Sequence, residues 1–333
     1  MHLATLIASI PPPPTDGFDI GPFKVHLYAL CIIAGGILAF WLGGKRWIAR
    51  GGKSEQMYDV GLWAVLFGIV GARLYHVLTV PDVYFGPGYD GTGDPWRIFA
   101  IWEGGIAIWG AILGGALGVW FGCRRYGVRM LPMADAIAPG VLLAQGVGRW
   151  GNYFNQELFG EPTTLPWGLE VEAGHHNFPA GLPADTLFHP TFLYESIWNL
   201  LGVAVLLLID RRLKLRNGMM LASYIVWYTL GRIPIESIRL DHAQEFTILG
   251  ITARTNTWTS VLMFLLAVGL LVYAIVNRPK TAAERTEANK IFRAGYHEEL
   301  RENGHDDQSE LFHTADTDRI PDEGDSDVDK PAP

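Results

Sequence analysis

The chain has 333 residues, of which 49% are hydrophobic and only 18% charged. Soluble domains carry charge on about a quarter of their residues, so a water-soluble globule is excluded in favour of a polytopic membrane protein. The net charge of −8 averages two unlike parts, its acidic excess lying mostly at the far end of the chain, and it gives no support to a nucleic-acid partner.

Residues 1–23 open with MHLATLIASIPPPP, a short apolar run without the basic leader of a secretory signal. They are expected to form an extracytoplasmic N-terminal segment. Apolar runs long enough for membrane helices of roughly 20 residues follow at 24–44, 57–79, 101–123, 133–150, 191–209, 219–237 and 257–277. The expected fold is therefore all-α, with about seven transmembrane helices. Basic residues collect after the first, third and fifth runs: Lys45, Arg46, Arg50 and Lys53, then Arg124, Arg125 and Arg129, then Arg211, Arg212, Lys214 and Arg216. Loop 151–190, on the other side, has no Lys or Arg at all. The positive-inside rule then sets the N-terminus outside, the C-terminus in the cytoplasm and 151–190 as an extracytoplasmic head. From 278 to 333 the composition turns to Glu, Asp, Asn, Pro and Gly, and an acidic disordered cytoplasmic tail is expected. Cys31 and Cys123 sit in apolar runs and read as buried thiols rather than a disulfide.

Several polar residues sit at membrane depth, where they are expensive unless they serve a function. In the late run Tyr224, Tyr228, Arg232 and Glu236 recur every four residues and Arg239 follows three later, so they share one helical stripe. In GRWGNYFNQELFG, residues 148–160, Arg149 and Asn152 project with Gln145 from one face, and Asn155 and Glu157 continue into the head. Arg73 and His76 share a face of the second run, WEGG places Glu103 at the start of the third, and HPTFLYE opens the fifth with His189, Tyr194 and Glu195. These residues are expected to converge on an outer-side cavity. Two arginine forks can grip one phosphodiester, so an anionic phospholipid head group is the natural ligand. No metal-ligand spacing, phosphate-cradling glycine loop or Ser-His-Asp order points to metal, nucleotide or acyl-enzyme chemistry. On these residues alone a lipid-processing enzyme, an anion or lipid transporter and a scaffold pinned by buried charges all stand, although the lack of an internal repeat speaks against transport.

GRWGNYFNQELFG resembles the signature of the bacterial prolipoprotein diacylglyceryl transferases, G-R-x-G-N-F-x-N-x-E-x-x-G. HPTFLYES, GRIPIESIR, GARLYHV and WEGG resemble further segments of the same family, together spanning about residues 20–277. The resemblance implies transfer of the diacylglyceryl group of phosphatidylglycerol to the lipobox cysteine thiol of a preprolipoprotein, at a bacterial cell membrane and without a cofactor. It implies Arg149, Arg232 and Glu236 as catalytic residues, supported by Asn152, Glu157 and Gly160, with Tyr28 lining the lipid site. Arg73, Glu103, Trp109, Gln145, Asn155, His189, Tyr228 and Arg239 complete the expected substrate-binding set. One departure stands out: where the family pattern W-E-G-G-x-x-x-H-G has a histidine that could act as a base, this chain has Trp109.

Overall fold

The computed structural model describes residues 9–21, 23–241, 244–248, 250–279 and 281–294. Its helices are α1 (Leu27–Ile48), α2 (Ser54–Thr79), the short α3 (Asp82–Phe85), α4 (Ile108–Arg125), α5 (Met130–Phe154), α6 (Thr191–Leu213), α7 (Met219–Ser237), α8 (Thr255–Val276) and α9 (Ala282–Asn289). Three antiparallel two-stranded ribbons decorate them: β1 (Gly17–Ile20) with β2 (Phe23–His26), β3 (Leu169–Glu170) with β4 (Leu187–Phe188), and β5 (Glu245–Ile248) with β6 (Ile251–Arg254). Five helices, α1, α2, α5, α6 and α8, are long and apolar enough to cross a membrane, and the chain is a mostly helical, multi-pass membrane protein. In α8 only Ser260 and Ala267 are buried, and one face of that apolar helix, with Leu262, Leu265, Leu266 and Leu270 exposed, offers its surface to lipid. The helices α4 and α7, of 18 and 19 residues, fall outside that class; α4 carries Arg124 and Arg125 in its final turn, and α7 carries Arg232 and Glu236 in its last two turns.

Lipid provides no hydrophobic drive between helices, so close packing must come from small residues. On α4, Gly110, Gly114, Gly118 and Gly122 recur every four residues and are all buried. A Cβ on Gly71 of α2 would stand 2.9 Å from the Gly114 Cα, so the two backbones run almost in contact. The pair α1 and α5 uses the same device: a Cβ on Gly140 would lie 2.6 Å from the Ala39 carbonyl oxygen. At the far end, Asp135 is fully buried and accepts from the backbone N–H groups of Gly218 at 2.9 Å and Leu221 at 3.0 Å. It thereby satisfies donors that the first turn of α7 leaves unpaired and ties the starts of α5 and α7 together. Beside it Arg46 pairs with Asp210 of α6 at 3.0 Å.

Two boundaries differ from the sequence expectation. The third apolar run does not enter a helix at 101: residues 101–103 form a 3₁₀ turn and α4 starts at Ile108. Gly104 and Gly105 have φ of 91° and 74°, a left-handed backbone that stops a helix, and the Arg73 guanidinium collects the carbonyls freed there. The tail expected to be disordered from 278 is ordered at its start. Thr281 caps α9 through a hydrogen bond from the Glu284 N–H, and Ile291, 8% exposed, packs with Trp47, Met57, Val60 and Val128. The Arg129 N–H donates to the Ile291 carbonyl and the Arg293 N–H to that of Gly127, so the segment is stitched to the α4–α5 turn. Residues 295–333 lie outside the described residues, as do residues 1–8.

Ile291 fills a core lined by residues of the α1–α2 and α4–α5 ends. Ile291→Ala is expected to lower unfolding stability by about 2–5 kcal/mol, the range for emptying a buried aliphatic site, read by denaturation of the purified protein in detergent.

Candidate functional site

The stretch that carries Arg149 is helical through Phe154, one turn beyond the expected end. There the chain turns through Gln156 and Leu158, both left-handed at φ of 46° and 58°. Such strain in non-glycine residues persists only where neighbours over-determine it. Here the Gln156 side chain accepts from the Glu172 N–H at 2.9 Å and its carbonyl accepts from Asn177 at 3.2 Å. The turn aims Glu157 back at α5, where its Oε1 accepts from Asn152 at 2.7 Å and Asn155 at 3.5 Å.

Arg149 and Arg232 come from different helices and meet on a third. Glu195, one turn into α6, binds Arg149 Nη2 through Oε2 at 2.7 Å and Arg232 Nη1 through Oε1 at 2.8 Å. Asn152 holds the other edge of Arg149, accepting from Nη1 at 3.2 Å. Arg232 is pinned a second time by Glu236, four residues on, at 2.6 Å. Glu236 is fully buried, and also takes Arg239 at 3.1 Å, Arg254 at 3.5 Å and the Asn256 amide at 3.0 Å. Asp241 closes the chain on Arg239 at 2.8 Å and Arg254 at 3.3 Å. Four arginines face three carboxylates in direct ion pairs, and Glu157 is a fourth carboxylate one hydrogen bond away through Asn152, so the formal charges of the cluster balance.

The expected site residues therefore separate into groups. Arg149, Asn152, Arg232, Glu236 and Arg239 are joined by direct hydrogen bonds or ion pairs, and Glu157 and Asn155 attach through Asn152 and one another. Gln145 donates to the Tyr224 hydroxyl at 3.0 Å, and Tyr224 stacks on Tyr228 with ring centroids 6.2 Å apart. Tyr28 lies flat on Gly151, where a Cβ would come within 2.6 Å of its ring, and so lies beside the turn that bears Asn152. With Asn155, Glu157 and the head residues Glu172, His175 and His176, it lines a cavity of about 790 Å³. Burial, and then the charge of His176, holds His175 below the usual histidine value, so it stays neutral near pH 7. Gly160 acts as a spacer: a Cβ there would meet the Ile238 carbonyl oxygen at 2.9 Å, and its bridge to Arg239 brings the head onto the end of α7.

Three expected site residues lie apart from the arginine network. Arg73 is 7% exposed, and its N–H groups go to the carbonyls of Ile98 at 2.8 Å, Gly104 at 2.6 Å, Gly105 at 3.0 Å, Ala100 at 3.3 Å and Arg97. It staples the α2–α4 loop. His189 turns its ring to the Tyr194 hydroxyl at 3.2 Å and lends its carbonyl to the Gly160 N–H, so it supports the head rather than the arginines. Trp109 sits 40% exposed in the first turn of α4, and among the described residues no hydrogen bond joins it to the arginine network. Glu103 ends the 3₁₀ turn, and its side chain lies outside the described residues. Arg254 and Asn256, both bound to Glu236, were missed; a lone arginine in a loop opposite the basic side was the available signal.

Comparison of the sequence with known proteins finds relatives. The family described as prolipoprotein diacylglyceryl transferase matches residues 16–273. A phosphatidylglycerol–prolipoprotein diacylglyceryl transferase 2 of Streptomyces coelicolor is 51% identical over 273 residues, covering 82% of this chain and 83% of its own. The phosphatidylglycerol–prolipoprotein diacylglyceryl transferase of Paenarthrobacter aurescens is 49% identical over 309 residues, covering 89% and 92%. That of Cutibacterium acnes is 48% identical over 265 residues, covering 79% and 86%.

Glu236 neutralises Arg232, Arg239 and Arg254 from a position with no solvent access. Glu236→Gln keeps the shape and removes the charge, and is expected to destabilise the fold by about 3–5 kcal/mol, as breaking a buried ion pair does. Unchanged denaturation of the variant in detergent would show that the network carries no such stability.

Proposed function

Because the chain belongs to the prolipoprotein diacylglyceryl transferase family, we infer that it moves the diacylglyceryl group of phosphatidylglycerol onto the lipobox cysteine of preprolipoproteins, the first step of bacterial lipoprotein maturation. The observation that carries this reading is the pairing of Arg149 and Arg232 on the two oxygens of Glu195. Two guanidinium forks fixed side by side can receive one phosphodiester, and phosphatidylglycerol brings such a group to the membrane surface.

The chemistry follows from charge. The cysteine sulfur attacks the glycerol carbon that bears the phosphate ester; the S–C bond forms as the C–O bond breaks. The electron pair of that bond goes to the phosphate oxygen, which leaves as glycerol phosphate with one more negative charge than the diester had. Guanidinium donors placed beside the phosphate meet this growing charge and so stabilise the transition state more than the ground state. The thiol proton needs no single dedicated acceptor: a thiol of ordinary pKa is a few per cent thiolate at neutral pH, and nearby arginines raise that fraction. Glu236, with both oxygens engaged by cations and the Asn256 amide, acts in this reading by holding Arg232 and Arg239 rather than as a base.

In the membrane, α4 and α7 join the five apolar helices as spans, giving seven. The basic turns after α1, α4 and α6 then face the cytoplasm, and the head and the arginine network face the extracytoplasmic side of the bacterial cell membrane. The cavity lined by Tyr28, Asn155 and Glu157 opens beside the network on the head side and suits the entry of a secreted peptide.

Incubation of the purified protein with labelled phosphatidylglycerol and a lipobox peptide is expected to yield a thioether-linked diacylglyceryl peptide; its absence would refute the transferase reading. Arg149→Lys and Arg232→Lys keep the charge but lose the fork, and each is expected to lose roughly a hundredfold or more in rate while still inserting in the membrane. Trp109→Phe is expected to retain most of the activity, since an indole can donate but never accept a proton and its bulk survives the change. A collapse of turnover in that variant would assign the indole N–H a direct part in the reaction.

A further inference from the structure

Among the described residues, three buried side-chain atoms have no hydrogen-bond partner: Arg50 Nη1, Gln145 Oε1 and Asn199 Nδ2. Two of them share a level in the fold. Gln145 precedes Arg149 by four residues on α5, Asn199 follows Glu195 by four on α6, and Tyr228 precedes Arg232 by four on α7. The contacts of Arg149 and Arg232 with Glu195 make α6 antiparallel to both neighbours, and Asp135 at the starts of α5 and α7 makes those two parallel. An offset of four therefore points the same way on all three helices. The result is a second polar layer one turn, roughly 5.4 Å, below the Arg–Glu–Arg layer and further from the head.

This layer is costly as it stands. Asn199 is 2% exposed and leaves its amide nitrogen unpaired, a burden of the kind that native structures usually explain by a ligand or a water. Its Cβ packs against α5, where a Cβ on Gly146 would meet it at 3.4 Å. Reciprocal bonds lock α6 to α7 at the residue before it: the Trp198 indole donates to the Trp227 carbonyl at 2.9 Å, and the Trp227 indole to that of Trp198 at 3.0 Å.

We propose that this second layer is a recognition site for the ester linkages of the lipid, with Asn199 Nδ2 donating to an acyl ester carbonyl and Gln145 Oε1 holding a water that bridges to the same oxygen. The inference rests on the arginine layer receiving the lipid phosphate. In a diacyl phospholipid the ester carbonyls lie a few bonds from the phosphate, on the side of the acyl chains. A lipid seated with its phosphate on Arg149 and Arg232 and its chains in the membrane must pass them through the next layer down.

The test compares diester phosphatidylglycerol with its diether analogue, which keeps the reacting C–O–P bond and lacks only the carbonyls. The wild type is expected to show a lipid KM roughly tenfold or more higher for the diether, because a site built to donate a hydrogen bond is left unpaired by it. Asn199→Leu should erase most of that difference by raising KM for the diester, with the peptide KM unchanged, and Asn199→Ser, which retains a donor, should restore part of it. Equal KM for the two lipids in the wild type would overturn the proposal without any variant having to fold. So would a preference that survives Asn199→Leu, or a change in peptide KM instead, which would mark the amide as a peptide contact. Failure to turn over either lipid would sink the transferase reading itself, whereas turnover without preference removes only this subsite.

Discussion

Everything at the centre of this protein depends on how two arginines can be kept charged and oriented inside a helical bundle. Burying an uncompensated guanidinium costs several kcal/mol, and the chain meets that cost with Glu195, whose two oxygens each take one arginine. A single carboxylate thereby brings three helices to one point and leaves the outer edges of both forks to Asn152 and Glu236. Fixed donors of this kind have little orientation left to lose when an anion arrives, which is the condition for electrostatic catalysis.

The rest of the bundle protects that point. Glycine stripes draw α2 to α4 and α1 to α5 until the backbones nearly touch, so helices that lack a hydrophobic drive in lipid still pack firmly. Arg73 spends its guanidinium on the backbone of the α2–α4 loop, so a charge that resembles a ligand contact in sequence is a structural staple in space. At the opposite end Asp135 joins the starts of α5 and α7, and Ile291 plugs the α4–α5 turn. The positions of Arg149 and Arg232 are thus set from both ends of their helices.

The polar groups are graded by depth. Uppermost is the head cavity beside Tyr28 and Glu157, next the arginine layer, and below it Gln145, Asn199 and Tyr228. A phospholipid is graded in the same order, from polar head group through phosphate to ester and acyl chain. This match between the layering of the site and that of an amphiphile is a stronger guide to the ligand class than any one residue, because each layer separately costs desolvation energy that an apolar packing would avoid.

The sequence by itself determined the membrane character, the positions of the long apolar helices and the stripe that carries Tyr224, Tyr228, Arg232 and Glu236, because hydrophobic length and a four-residue repeat are local properties of a chain. It also revealed Arg149, Asn152 and Glu157, whose polarity is conspicuous next to an apolar run. It could not tell a ligand-facing arginine from a loop staple: Arg73 and Arg149 look alike until the carbonyls of residues 97–105 are seen closing around the first. Nor could it assign Arg254 and Asn256 to the network, since their partners lie 18 and 20 residues away along the chain. The order of residues 282–292 was hidden for the same reason, because a polar composition predicts disorder until a core elsewhere in the fold offers Ile291 a place. Only the tertiary structure decides such matters: charge compensation and burial are properties of pairs, and a pair exists once the helices that carry it have met.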